Sequence, residues 1–231
     1  MNIFCLPYAG ASSYSYLPFA NCAGDGINIL PVELPGRGNR ISEPLLISLD
    51  DMADDLFSQI IPRLAEPYCI YGHSMGSLLG YLITKKIMER RGNPPEHLFF
   101  SGRGGPSVRY KRLNRHLLPR DIFHDELRKL GGVTEDVLQN DMLMEFFEPI
   151  LRADFGANDN FNYLQSAPFS IPITVFIGAQ EHTTEQEAYL WQKETTSTVK
   201  VHTMSGGHFF IFDHVAEILQ IINVELLNSK A

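Results

Sequence analysis

The stretch Gly72-His73-Ser74-Met75-Gly76 constrains this chain most. It follows a short apolar and aromatic run, residues 68–71, which reads as a buried strand. It precedes residues 77–88, helix formers with apolar side chains at helical spacing. Ser74 is thereby placed where a strand turns sharply into a helix. A turn that tight needs small neighbours, and Gly72 and Gly76 supply them. It pushes the serine hydroxyl out from the backbone, beside the positive end of the following helix. The N–H of Met75 is then positioned to meet a developing oxyanion. The bland alternative is a tight strand-to-helix turn in which Ser74 only caps the helix. The pattern by itself is short and recurs by chance, so its weight comes from the flanking strand and helix.

The rest of the chain repeats the same alternation. Residues 2–6 read as a first strand. They lead into Pro7-Tyr8-Ala9-Gly10-Ala11-Ser12, a small-residue loop, and then a weak helix over 13–22. Such a loop lets backbone N–H groups come close to a ligand, and Ala9 is the candidate for a second oxyanion donor; a plain turn is the alternative. Residues 27–34 read as the second strand, ending in Pro35-Gly36-Arg37-Gly38-Asn39-Arg40 with Glu43 beyond. A loop held by ion pairs is favoured there over direct substrate contact. Ser48 caps a helix over 49–64, with Asp50 and Asp51 in its first turn, where the dipole favours them. After the break Gly92-Asn93-Pro94-Pro95, residues 97–101 form a further strand. From 103 to 167 no strand pattern occurs, and helices are expected over 119–130, 134–139 and 141–153. Strands over 172–178 and 199–203, a helix over 184–195 and a closing helix to 227 complete the chain. Strand–helix alternation argues for a mostly parallel α/β sheet flanked by helices. The helical insertion, approximately 107–167, lies where a lid over a site would lie. One domain spanning 1–231 is expected.

Composition narrows the classes. A net charge of −8 argues against nonspecific nucleic-acid binding. No apolar stretch approaches the ~18 residues of a membrane span, and no basic region precedes the first apolar run, so neither a membrane anchor nor a signal peptide is expected. Cys5, Cys22 and Cys69 are odd in number and scattered, which fits no disulfide framework and no metal site, and suits a reducing cytoplasm.

A serine hydroxyl is a poor nucleophile at neutral pH without a base, and the base needs an orienting acid. For serines on such turns the chain order is nucleophile, acid, histidine. Of eight histidines, His73 flanks the serine, and His97, His116 and His124 come before any suitable acid. His182, His202, His208 and His214 remain; His202 falls within a strand and His214 within a helix. His208 lies in a loop after two glycines and is the candidate base; a structural histidine is the alternative. The acid is expected after the strand over 172–178, where Glu181 is the candidate. Its extra methylene displaces the carboxylate by up to about 1.5 Å relative to Asp. Asp154 and Asp159 are more remote candidates.

Together the motifs resemble the stand-alone (type II) thioesterases of nonribosomal peptide and polyketide synthesis. The likeness runs over nearly the full length. It rests on Leu6-Pro7-Tyr8-Ala9-Gly10, on Glu33-Leu34-Pro35-Gly36-Arg37-Gly38-Asn39-Arg40 with Glu43, and on Tyr71-Gly72-His73-Ser74-Met75-Gly76. It continues through Leu130-Gly131-Gly132, Pro149-Ile150-Leu151-Arg152-Ala153-Asp154 and Gly206-Gly207-His208-Phe209-Phe210. The resemblance implies an α/β-hydrolase fold with a helical lid, and hydrolysis of acyl thioesters on the phosphopantetheine arm of acyl or peptidyl carrier proteins, clearing misprimed or stalled groups. It matches Ser74 and His208 to nucleophile and base, and Ala9 and Met75 to the oxyanion positions. The family usually has Asp where this chain has Glu181. The chemistry calls for no metal or redox cofactor.

Carrier proteins are acidic, and residues 103–120 hold Arg103, Arg109, Lys111, Arg112, Arg115 and Arg120 with no Asp or Glu. Arg109, Lys111 and Arg112 are the candidate carrier or phosphate contact, against the alternative of a solvated basic face. The aromatic residues Phe146, Phe147, Phe155, Phe161 and Tyr163 are expected either to line an acyl channel or to pack the lid. A monomer is expected. The rival functions on this fold are a small-molecule carboxylesterase, an acyltransferase and a non-catalytic carrier-binding protein.

Overall fold

The computed structural model describes residues 1–110 and 113–228. Six parallel strands form one sheet in the order β2-β1-β3-β4-β5-β6. They are β1 (Asn2–Leu6), β2 (Asn28–Pro31), β3 (Tyr68–His73), β4 (His97–Ser101), β5 (Ile173–Gly178) and β6 (Val199–Met204). The register runs Cys69↔His97 to His73↔Ser101 between β3 and β4, and Ile173↔Val199 to Gly178↔Met204 between β5 and β6. Every residue of β3, β4 and β5 is buried, as a sheet covered on both faces requires.

Alternation along the strands builds two cores. Phe4, Leu6, Tyr68 and Ile70 face α2 (Leu49–Ile60) and α3 (Met75–Glu89). Ile3, Cys5, Cys69 and Tyr71 face α1 (Leu17–Cys22) and α8 (Val215–Asn228). Cys5 and Cys69 are buried; each fills a small apolar space in the second core.

Between β4 and β5 come α4 (Arg120–Leu130), α5 (Glu135–Leu138) and α6 (Asp141–Asp159). They share a third, small core of Phe123, Leu127, Leu138, Met144 and Leu151. A short α7 (Glu185–Tyr189) follows β5. Among the described residues no helix is long and apolar enough to cross a membrane.

Element boundaries differ from the sequence expectation for local reasons. β2 holds four residues rather than eight. Pro31 has no N–H for the ladder, and Glu33 turns inward to accept the Ser13 N–H at 3.1 Å and its hydroxyl at 2.7 Å. α2 stops at Ile60, just before Pro62, and the chain continues as a 3-10 turn. Ser48 caps α2, accepting the Asp51 N–H at 3.5 Å. α6 runs on to Asp159 because Asp154, Gly156 and Ala157 continue its buried face.

β3 lies between β1 and β4, so its carboxyl end opens into a crevice bordered by the loops after β1, β4, β5 and β6. Ligands of open parallel sheets bind there.

Candidate active site

Ser74 stands at that carboxyl end with φ 53° and ψ −114°, a conformation L-residues rarely adopt. Three contacts hold the turn. The Ser74 N–H donates to the Ser101 carbonyl at 2.8 Å. The Ser77 hydroxyl donates to the Gly72 carbonyl at 2.9 Å and lies 3.2 Å from that of Ser101. Glycine is required on both sides: a Cβ at Gly72 would collide with the Gly76 carbonyl, and one at Gly76 would come within 2.7 Å of the Leu6 carbonyl oxygen. The turn is thus wedged against β1 by close backbone contact. Met75 is the first residue of α3, and first-turn N–H groups have no acceptor within their own helix.

His208 follows β6 in a loop that Gly206 opens with φ +110°. Its Nδ1–H donates to Glu181 Oε2 at 2.7 Å, and the Glu181 side chain is only 2% exposed. The other carboxylate oxygen, Oε1, accepts the Gly178 N–H at 2.8 Å. Glu181 is therefore folded back over its own turn, which takes up the extra methylene that distinguishes it from Asp. Gly178 and the His208 loop pack backbone to backbone: a Cβ on Gly178 would meet the Gly207 and Gly206 oxygens at 2.6 and 2.7 Å.

Ser74, His208, Glu181 and Ala9 all border one cavity of about 1610 Å³. Its other side is the helical insertion, through Phe147, Leu151, Phe155, Phe161 and Tyr163. Phe146, by contrast, is half exposed and packs edge-to-face on Phe147.

His73 carries information that sequence reading did not. Its ring is fully buried, 4.8 Å from the ring of His208, and Nδ1 lies 3.0 Å from the Ser101 hydroxyl. Ser101 in turn pairs with the Tyr71 hydroxyl at 3.0 Å. Burial, reinforced by the neighbouring His208, pushes the His73 pKa well below 6.5, so the ring stays neutral behind the candidate base. Ser101 could not have been singled out from sequence: it reaches Ser74 and His73 only because β4 pairs with β3.

Four other histidines have structural partners. His97 Nε2 lies 2.8 Å from the Thr174 hydroxyl, His124 contacts Glu148 at 3.2 Å, His202 stacks on Phe176, and His214 joins Ser205 and Glu217. Asp154 is held by Arg37 and Asp159 borders the cavity. The carboxylate partner of His208 is Glu181.

The arginines after β2 serve as ion-pair anchors. Arg40 binds Glu43 and Asp55 at 2.5 and 2.6 Å, and Arg37 binds Asp154 at 2.6 Å. Three of the six basic residues in that run have partners in the insertion. Arg115 pairs with Glu126 at 3.5 Å, Arg120 pairs with Asp141 and Glu148 at 3.0 and 3.3 Å, and Arg103 lies over the Tyr110 ring. Arg109 is exposed at the cavity border. Lys111 and Arg112 lie outside the described residues.

A family model described as "Thioesterase domain" matches residues 1–226. This chain belongs to the thioesterase domain family. It is similar to the gramicidin S biosynthesis protein GrsT of Aneurinibacillus migulanus, 33% identical over 98% of this chain and 89% of that protein. Thioesterase PikA5 of Streptomyces venezuelae is 31% identical over 100% of this chain and 82% of its own length. Among solved structures, ClbQ from the colibactin NRPS/PKS pathway superposes with a TM-score of 0.93 at 30% identity, covering 99% of this chain and 98% of that one. The type II thioesterase BorB from the borrelidin biosynthetic cluster gives 0.89 at 32%, covering 97% and 92%. The thioesterase is thus an α/β-hydrolase-fold enzyme of the type II kind associated with nonribosomal peptide and polyketide synthesis, and it hydrolyses thioesters.

Proposed function

We infer that Ser74, His208 and Glu181 are the nucleophile, base and orienting acid of this thioesterase, acting on acyl groups carried by the phosphopantetheine arm of acyl or peptidyl carrier proteins. The observation that supports this most is the 2.7 Å Glu181–His208 hydrogen bond on the cavity that also holds the strained Ser74 turn.

In this reading the acyl thioester enters the cavity beneath a lid formed by the insertion, residues 107–167. His208 Nε2 takes the Ser74 proton as Oγ attacks the thioester carbonyl carbon. Nδ1–H stays on the Glu181 carboxylate, which fixes the tautomer and stabilises the imidazolium. The N–H groups of Met75 and Ala9 receive the oxyanion. The carbon–sulfur bond breaks, and the pantetheine thiol leaves with the proton from His208. A water then attacks the acyl-serine, giving its proton to His208. Collapse returns that proton to Ser74 Oγ and releases the carboxylic acid. Only protein groups and water take part. The biological task is removal of misprimed or stalled acyl groups from a synthase, by a cytoplasmic monomer. Arg109, with Lys111 and Arg112, contributes to carrier or phosphate contact.

The test is release of acid from acetyl-loaded carrier protein by wild type and Ser74→Ala. Turnover by wild type that Ser74→Ala lacks is the expected result. Inertness on several acyl carriers together with cleavage of simple oxygen esters would make the enzyme a carboxylesterase. Product that forms only with an added second nucleophile would make it an acyltransferase.

A further inference from the structure

The loop carrying Ala9 is anchored from outside the cavity. Asp154 on α6 is fully buried and Arg37 is 2% exposed. Arg37 clamps both carboxylate oxygens, Nη1 to Oδ2 at 2.6 Å and Nη2 to Oδ1 at 2.8 Å. The same Oδ2 accepts the N–H of Gly10 at 2.8 Å. Arg37 Nη1 also lies 3.4 Å from the Ala11 carbonyl. Gly10 is left-handed, φ +80°, and a Cβ there would stand 2.5 Å from Leu151 Cδ2. Leu151 and Asp154 are three residues apart on α6 and present one face. One face of α6 thus packs on Gly10 and hydrogen-bonds it, next to the candidate oxyanion donor Ala9.

We propose that Asp154, locked by Arg37, is a positioning residue for the oxyanion hole: it fixes the Gly10 peptide and through it the orientation of the Ala9 N–H. Asp154 does not border the cavity, so it acts through Gly10 rather than on substrate. Arg37 has a second effect. A bare carboxylate one residue from an oxyanion donor would oppose the developing negative charge, and the bidentate guanidinium cancels it. Because Asp154 belongs to the helical insertion, the oxyanion geometry and the seating of α6 are coupled. The inference rests on the serine mechanism and on Ala9 as a donor.

The test removes the charges together, since breaking one half of a buried pair strands the other. Arg37→Met/Asp154→Val leaves the Gly10 N–H without its acceptor. Arg37→Met/Asp154→Asn keeps a neutral acceptor at that place. On an acyl-N-acetylcysteamine thioester, the Val variant should lose on the order of 10²-fold in kcat with KM within about threefold, the scale of a misplaced oxyanion donor. The Asn variant should recover to within about fivefold of wild type. A trifluoromethyl ketone, which adds to a serine and presents an oxyanion, should lose affinity for the Val variant in parallel with kcat. A purely structural role would not produce that parallel. Arg37→Lys, which retains the charge, serves if the double variants fail to fold: a fall in kcat of at least about fivefold at unchanged KM is expected.

The inference is overturned by a Val variant with kcat within threefold of wild type, by an Asn variant no better than Val, by unchanged ketone affinity, or by an unchanged Arg37→Lys. If wild type neither hydrolyses the thioester nor binds the ketone, the serine mechanism itself is wrong, and the inference falls with it by a distinguishable route.

Discussion

Replacing Glu181 by Gln tests the site most sharply, because the backbone decides which way the amide must face. Oε1 accepts the Gly178 N–H at 2.8 Å and Oε2 accepts the His208 Nδ1–H at 2.7 Å. A carboxylate can accept both; an amide can accept only one. Gly178 is tied into β5 and its N–H cannot turn away, so the amide oxygen must face Gly178. The amide NH₂ then faces His208 Nδ1 and donates to it. That forces the proton onto Nε2, the atom that must accept from Ser74. The enzyme is then held in the wrong tautomer with its geometry intact. The expected loss in kcat is on the order of 10³–10⁴-fold, as found when the acid of other serine triads becomes an amide. At 1.36 kcal/mol per tenfold this corresponds to about 4–5 kcal/mol of transition-state stabilisation. Every polar atom stays hydrogen-bonded, so stability should change by less than about 1 kcal/mol. The assay is single-turnover release of acid from an acetyl thioester, with urea unfolding in parallel. A loss below tenfold in a folded Glu181→Gln enzyme would refute the assignment of Glu181.

Other outcomes follow from the same geometry. Glu181→Asp shortens the arm by about 1.5 Å, so the carboxylate can no longer span Gly178 and His208 together, and kcat should fall at least tenfold with the pH profile otherwise retained. Gly76→Ala places a Cβ 2.7 Å from the Leu6 backbone oxygen; the turn must separate from β1, and both activity and the unfolding midpoint should drop sharply. His97 is buried against Thr174 and Phe99, and burial lowers its pKa to about 4. Its unfolded form takes up a proton near 6.5 that the folded form resists. Its contribution is therefore complete above pH 6.5 and is lost as pH falls toward 4, on the order of 3 kcal/mol in all. His97→Leu should flatten stability against pH over that window, as read by urea unfolding at several pH values. Trp191 donates from Nε1 to the Arg103 carbonyl at 3.0 Å at the cavity wall; Trp191→Phe removes that donor and should cost about 1–3 kcal/mol in stability.

Much of this was legible in the residues. The strand cores, the order of elements and the turn at Ser74 follow from apolar runs, helix spacing and two glycines, all local signals. Chain order isolated His208 and Glu181, because the intervening elements must pass from one strand end to the next. The shortfall of β2 was not legible. It depends on Glu33 finding Ser13, twenty residues earlier in the chain. Nor was the extension of α6 beyond residue 153 to Asp159, which the tertiary contacts of its buried face sustain against helix propensity. The basic run read as a potential surface patch because charge along a sequence shows no partners. In three dimensions Arg115 and Arg120 face acids of α4 and α6.

The sequence by itself determined the parallel α/β frame, the strand-to-helix turn at Ser74 and the identity of its acid and base candidates. These depend on periodicity, on glycine's lack of a Cβ and on chain order. Only the tertiary structure decided how Glu181 reaches His208, that neutral His73 lies behind the candidate base, and that Asp154 belongs to Arg37 and Gly10. Each of these is a contact between distant segments, set by strand register and by a buried polar group's need for a partner, and neither is written in local sequence.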